Sequence, residues 1–118
     1  MRLQHVTIAI PLDGTGEARA FYGNLLGLDE KPVLPNLDPA RFVWYAAGGD
    51  NELHLQLSPE PPPDKPHFCL AVDDLDELRG RLEGAGVETI DPTPILGRPR
   101  FMCRDPFGNL IELVHIDG

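Results

Sequence analysis

The chain repeats itself, and each copy carries a metal-type side chain at the same two places. The first copy runs from Gln4-His5-Val6-Thr7-Ile8-Ala9-Ile10 to Glu52-Leu53-His54-Leu55-Gln56. The second runs from Pro66-His67-Phe68-Cys69-Leu70-Ala71-Val72 to Leu110-Ile111-Glu112-Leu113-Val114. His5 matches His67, and His54 matches Glu112. Three imidazoles and one carboxylate at repeat-related positions suit a pseudo-twofold metal site to which each half gives two ligands. The metal reading is therefore His5, His54, His67 and Glu112 around one divalent cation, with Zn, Ni, Co, Fe or Mn all compatible with that donor set. A triad of His5, His67 and Glu112 would suit Fe(II), with His54 left as an acid or base.

The chain has 118 residues, so each copy is too short to be robust alone. Residues 1–58 form a first module, 59–66 a linker, and 67–118 a second module, together one domain. The stretch Ser58-Pro59-Glu60-Pro61-Pro62-Pro63-Asp64-Lys65-Pro66 has five prolines in nine residues and reads as an extended spacer.

Within the first module, residues 3–10 alternate as a strand, with Leu3, His5, Thr7 and Ala9 on one face. Ala18, Phe21 and Leu25 have helical spacing, and Gly27 fits a C-terminal stop. Residues 41–46 and 52–57 read as strands joined by the Gly48-Gly49-Asp50-Asn51 turn, with Glu52, His54 and Gln56 sharing a face. In the second module Asp74 and Glu77 are spaced as a capping box, and Leu75, Leu78, Leu82 and Ala85 make a helical stripe ended by Gly86. A proline-rich loop spans Asp91 to Pro99, followed by strands from Phe101 and from Leu110. Small side chains beside the histidines, Thr7 and Ala9 in one copy and Cys69 and Ala71 in the other, leave room for a cation and a substrate.

The net charge of −9 argues against nucleic acid and anionic membrane surfaces as partners. No apolar run approaches the length of a membrane span. With two cysteines and no signal-peptide pattern at Met1-Arg2-Leu3-Gln4, the expectation is a reduced, cytoplasmic protein whose partner is a small molecule.

Several residues carry two readings. Cys69 either lines a cavity or packs as a small buried thiol. Arg98, Arg100 and Arg104 either hold a substrate carboxylate or phosphate or form a solvated loop face. Trp44, with Phe42, either walls a pocket or packs in a core. His115 falls on the opposite face from Glu112 and reads as surface.

The stretches His5-Val6-Thr7-Ile8-Ala9, Phe21-Tyr22-Gly23-Asn24-Leu25-Leu26-Gly27-Leu28, Glu52-Leu53-His54-Leu55, His67 to Asp74, and Asp105-Pro106-Phe107-Gly108-Asn109-Leu110-Ile111-Glu112 together resemble the vicinal oxygen chelate superfamily. That group includes glyoxalase I, extradiol dioxygenases and bleomycin-resistance proteins. The resemblance implies an α+β fold of two βαβββ modules, whose mixed sheets form a half-open barrel around a cavity with a divalent metal ion. It places the ligands at His5, His54, His67 and Glu112, with His54 where glyoxalase I carries Glu. It implies a metal-dependent isomerase or lyase acting on a small oxygen-chelating substrate, with Glu112 or His54 as catalytic base. The alternatives are a ring-cleaving dioxygenase and a non-catalytic drug-binding protein. A twofold homodimer is expected, since each half-barrel needs a partner sheet.

Overall fold

The structure, a computed structural model, describes residues 1–116. The chain divides into two compact units, Met1–Pro62 and the part from Pro63 onward.

The first unit contains β1 (His5–Ile10), α1 (Thr15–Ala18), which widens into a π-helical stretch (Arg19–Leu25), β2 (Glu30–Lys31), β3 (Phe42–Ala46) and β4 (Glu52–Leu57). The sheet order is β1-β4-β3-β2, with β1 parallel to β4 and the remaining pairs antiparallel. Alternation puts Ile10, Val43, Tyr45, Leu53 and Leu55 on a buried face. The helical segment covers that face with Ala18, Phe21 and Tyr22, and the Tyr22 and Tyr45 rings lie 6.0 Å apart.

The helical spacing expected around Ala18, Phe21 and Leu25 is only partly realised. The turn is widened, so that Leu26 N–H bonds to the Phe21 carbonyl at 2.9 Å. Widening swings both Phe21 and Tyr22 onto the sheet and leaves Leu25 half-buried. Gly27, at φ +76°, ends the segment, and Leu28 N–H closes onto the Tyr22 carbonyl at 3.0 Å.

The second unit repeats the plan with β5 (His67–Ala71), α2 (Leu75–Gly84), β6 (Thr89–Ile90), β7 (Arg100–Arg104) and β8 (Leu110–Val114). Its order is β5-β8-β7-β6, again with the first and last strands parallel. Phe68, Phe101, Cys103, Ile111 and Leu113 form the buried face, and Leu78 and Leu82 of α2 are buried. Arg79 of α2 lies over the Phe101 ring at 5.2 Å, which places the helix on this side of the sheet. The stripe is narrower than its sequence spacing implies: Leu75 is half-buried and Ala85 exposed, because a ten-residue helix touches a twisted sheet mainly through its middle turns. Asp74 caps α2 by accepting from Glu77 N–H at 3.0 Å. The Glu77 carboxylate pairs with Arg81 at 3.2 Å rather than returning to the cap, so only half of the expected capping box forms. The short strands β2 and β6 are two residues each, too brief to show any periodicity in the sequence.

The turn from Asp105 to Asn109 sets the β7–β8 register. Asp105 Oδ1 accepts from Phe107 N–H at 2.9 Å and from Asn109 N–H at 2.8 Å, while Oδ2 accepts from Asn109 Nδ2 at 2.9 Å. Asp105 and Asn109 are both buried, and Gly108 takes φ +100°, a conformation other residues resist. The Asp105–Asn109 stretch is therefore a folding device.

Removing the Asp105 carboxylate withdraws an acceptor from three buried or half-buried donors. Asp105→Ala should cost roughly 2–4 kcal/mol of stability, against about 1 kcal/mol for removing the exposed cap in Asp74→Ala. Urea unfolding of the two variants checks this; equal losses would mean the turn is not the stronger constraint.

Candidate functional site

In each unit the helix covers one face of the sheet, and the opposite face carries the polar residues. On the first sheet the register aligns Lys31, Trp44, His54 and Thr7 in one row across β2, β3, β4 and β1. His5 stands diagonally from His54 on β1, beside the small Thr7. The outcome is a stack of three rings. His54 lies 4.0 Å from Trp44 at an interplanar angle of 3°, and 4.2 Å from His5 at 17°. Trp44 and His54 are buried, while His5 is exposed and ends the stack. The indole Nε1 of Trp44 is buried without a hydrogen-bond partner.

Glu52 organises this face. Its Oε1 accepts from His54 Nε2–H at 2.9 Å, and its Oε2 pairs with the Lys31 ammonium. The Lys31 contact, followed by the His54 contact, holds the Glu52 carboxyl down to about 2. His5 Nδ1–H donates to Gln4 Oε1 at 2.7 Å, and Gln4 Nε2 donates to the Asp50 carbonyl at 2.9 Å. Glu52, Lys31 and Gln4 were not singled out by sequence reasoning. The alternation that placed Glu52 on the face of His54 was the available signal.

On the second sheet Cys69, Glu112 and Met102 form a row across β5, β8 and β7, with His67 and Arg100 diagonal to Glu112. Arg100 Nη1 donates to Glu112 Oε1 at 2.7 Å, and Arg100 Nη2 donates to the Thr93 carbonyl at 2.7 Å. Cys69 Sγ donates to Glu112 Oε2 at 3.2 Å. His67 Nδ1–H donates to the Lys65 carbonyl at 3.1 Å, which leaves Nε2 facing Glu112 Oε1 at 3.7 Å. Burial works to raise the Glu112 carboxyl, but its contacts with Cys69, Arg100 and His67 outweigh it and hold the group below its usual range. Cys69 is exposed as a residue, yet desolvation of its sulfur and the adjacent Glu112 carboxylate push the thiol up to about 12. The carboxylate contact by itself dictates that direction, so Cys69 is a hydrogen-bond donor and a poor nucleophile.

The three arginines separate. Arg100 sits on Glu112. Arg104 is spent on its own turn, donating to the Gly108 carbonyl at 2.9 Å and to Asp64 at 3.1 Å. Arg98 and Arg100 line a cleft of about 880 Å³ between α2 and the 92–99 loop, with Leu75, Pro92, Ile95 and Leu96. His115 is half-buried, and its Nδ1–H donates to the Val72 carbonyl at 3.1 Å.

The four expected metal ligands are brought together as two pairs, His5 with His54 and His67 with Glu112. Among the described residues no three His, Cys, Asp or Glu side chains converge on a point where an ion could be held. Nitrogen lone pairs lie in the ring plane, so two nearly parallel stacked imidazoles cannot both aim at one ion. The donor types suit a divalent cation; within each unit, His54 Nε2 and the Glu112 oxygens are turned to protein partners.

The Glu52 network has a pH signature. A depressed folded-state value stabilises the protein at pH above the usual 4.5, and that contribution is lost as pH falls towards 2. Lys31 is 41% exposed, so solvent screening limits the effect to about 1 kcal/mol. Glu52→Gln should destabilise the protein at pH 7, and the gap from the parent should close between pH 4.5 and 2. Thermal melts across that range check it; a gap independent of pH would remove the ion network as its cause.

The sequence profile of the Glyoxalase/Bleomycin resistance protein/Dioxygenase superfamily matches residues 2–113. No curated protein matches the chain. Among solved structures, a glyoxalase family protein from Bacillus anthracis is 32% identical with a TM-score of 0.90, over 99% of this chain and 96% of its own. An antibiotic binding protein from Streptomyces sp. CB03234 is 28% identical with a TM-score of 0.76, over 99% of this chain and 97% of its own. A lactoylglutathione lyase from Agrobacterium tumefaciens shares the fold at 24% identity and a TM-score of 0.72, over 97% of this chain and 92% of its own. The duplicated βαβββ plan and the matching profile over nearly the whole chain make this protein a member of the glyoxalase/bleomycin resistance protein/dioxygenase superfamily.

Proposed function

We propose that the chain binds a small aromatic molecule without a metal, as a binding protein of the bleomycin-resistance type. The observation that carries this reading is the Arg100–Glu112 ion pair. It engages the carboxylate that the expected metal site would use and that stands, beside His54, as a candidate base. What the open faces offer instead is recognition: a stack of His5, His54 and Trp44 that ends on an exposed imidazole face, and a polar cluster around Arg100. Flat aromatic groups extend such stacks favourably. The antibiotic binding protein from Streptomyces supports the reading by likeness.

A second reading is a metal-dependent isomerase or lyase, with a ring-cleaving dioxygenase behind it. The bond from His67 Nδ1–H to the Lys65 carbonyl favours it, since it fixes the tautomer that leaves Nε2 free as a ligand. This reading requires Arg100 to leave Glu112 and His54 to leave Glu52. A twofold homodimer suits either reading.

Trp44 is the only tryptophan, so its fluorescence reports on the stack directly. Chelator-treated protein titrated with bleomycin and a panel of aromatic antibiotics should show a saturable change in emission with at least one of them. The reading fails if no ligand acts on the stripped protein, while added Ni²⁺ or Zn²⁺ brings turnover of a hemithioacetal or catechol.

A further inference from the structure

We propose that Arg100 is the resident cation of the second unit's open face: its guanidinium holds the place at Glu112 that a divalent metal would need, so that the two exclude each other. The inference deepens the metal-free reading above and rests on it.

The fold dictates the contact. Arg100 lies opposite Val114, and Met102 lies opposite Glu112, so Arg100 and Glu112 are diagonal neighbours on one face of adjacent strands. The Asp105–Asn109 turn fixes that register. Arg100 is then held at two points, through Nη1 to Glu112 Oε1 and through Nη2 to the Thr93 carbonyl, each at 2.7 Å. Its side chain and that of Glu112 are only 14% and 15% exposed. A guanidinium stays charged at any ordinary pH, so it cannot vacate the carboxylate by losing a proton, as a lysine or histidine could. It can leave only by moving, and the Thr93 bond opposes movement. The other Glu112 oxygen receives the Cys69 thiol. Two positive centres on one carboxylate repel, and the structure supplies the covalently attached one.

The test is metal binding by the full chain, stripped with chelator and titrated with Ni²⁺ and with Zn²⁺ by calorimetry. The parent should bind weakly, and Arg100→Lys, which keeps a charge but can give up its proton and loses the two-point hold, should fall between the parent and Arg100→Met. Arg100→Met, which keeps an apolar stem in place of the guanidinium, should bind at least about tenfold more tightly, a change of roughly 1.4 kcal/mol. Adding Glu112→Gln to Arg100→Met should abolish the gain. The proposal is overturned if the parent already binds either metal as tightly as Arg100→Met, or if the double variant keeps the gain. Tight binding by the parent settles the matter against it even where Arg100→Met does not fold. Failure of the antibiotic titration together with a gain in Arg100→Met would reject small-molecule binding alone and leave the role of Arg100 standing.

Discussion

Parallel pairing of the first and last strands in each unit is the constraint from which the rest follows. β1 pairs with β4, and β5 with β8, so the two ends of each βαβββ module become neighbours in the sheet. A parallel pair needs a crossover, and the crossover here carries the helix, which must cover one face. The other face stays open. On it the pairing places Thr7 beside His54 and Cys69 beside Glu112, residues more than forty positions apart. Had either pair slipped by one residue, the histidines would have turned into the core and Leu55 or Ile111 towards the open face.

With the faces fixed, charge determines what each side chain does there. A half-buried carboxylate needs a counter-charge close by, because desolvation makes an unpaired one costly. Glu52 has Lys31 and His54, and Glu112 has Arg100, Cys69 and the nearby His67. Each unit thus solves its electrostatic problem with its own strands. The repeat in the sequence relates His54 to Glu112, but the carboxylate in the first unit is Glu52, one step along the same face. The two open faces are alike in plan and different in chemistry, one built as a ring stack and the other as an ion-pair cluster.

The superfamily holds both enzymes and binding proteins on one backbone plan, so membership does not decide between them. What bears on the choice is whether the ligand-type residues are free. In this chain His54 Nε2 and both Glu112 oxygens are engaged with protein partners while His67 Nε2 is left free, and the stretch from Asp105 to Asn109 serves the turn that aligns Arg100 with Glu112.

The sequence by itself determined the duplicated plan, the strand faces and the helix stops. Alternation separates Leu53 and Leu55 from His54, Gly27 and Gly86 both take positive φ at helix ends, and Asp74 caps α2. These features are local: periodicity and backbone conformation are written within a few residues of each other. It also placed His5, His54, His67 and Glu112 on open faces by repeat and resemblance. Only the tertiary structure decided their partners. The stack joins residues 5, 44 and 54, and Glu112 meets residues 67, 69 and 100, which periodicity assigns to a face but not to one another. A carboxylate on a sheet can turn to any neighbour within reach. Which one it chooses depends on strand register and on competition among donors, and both exist only once the strands have paired.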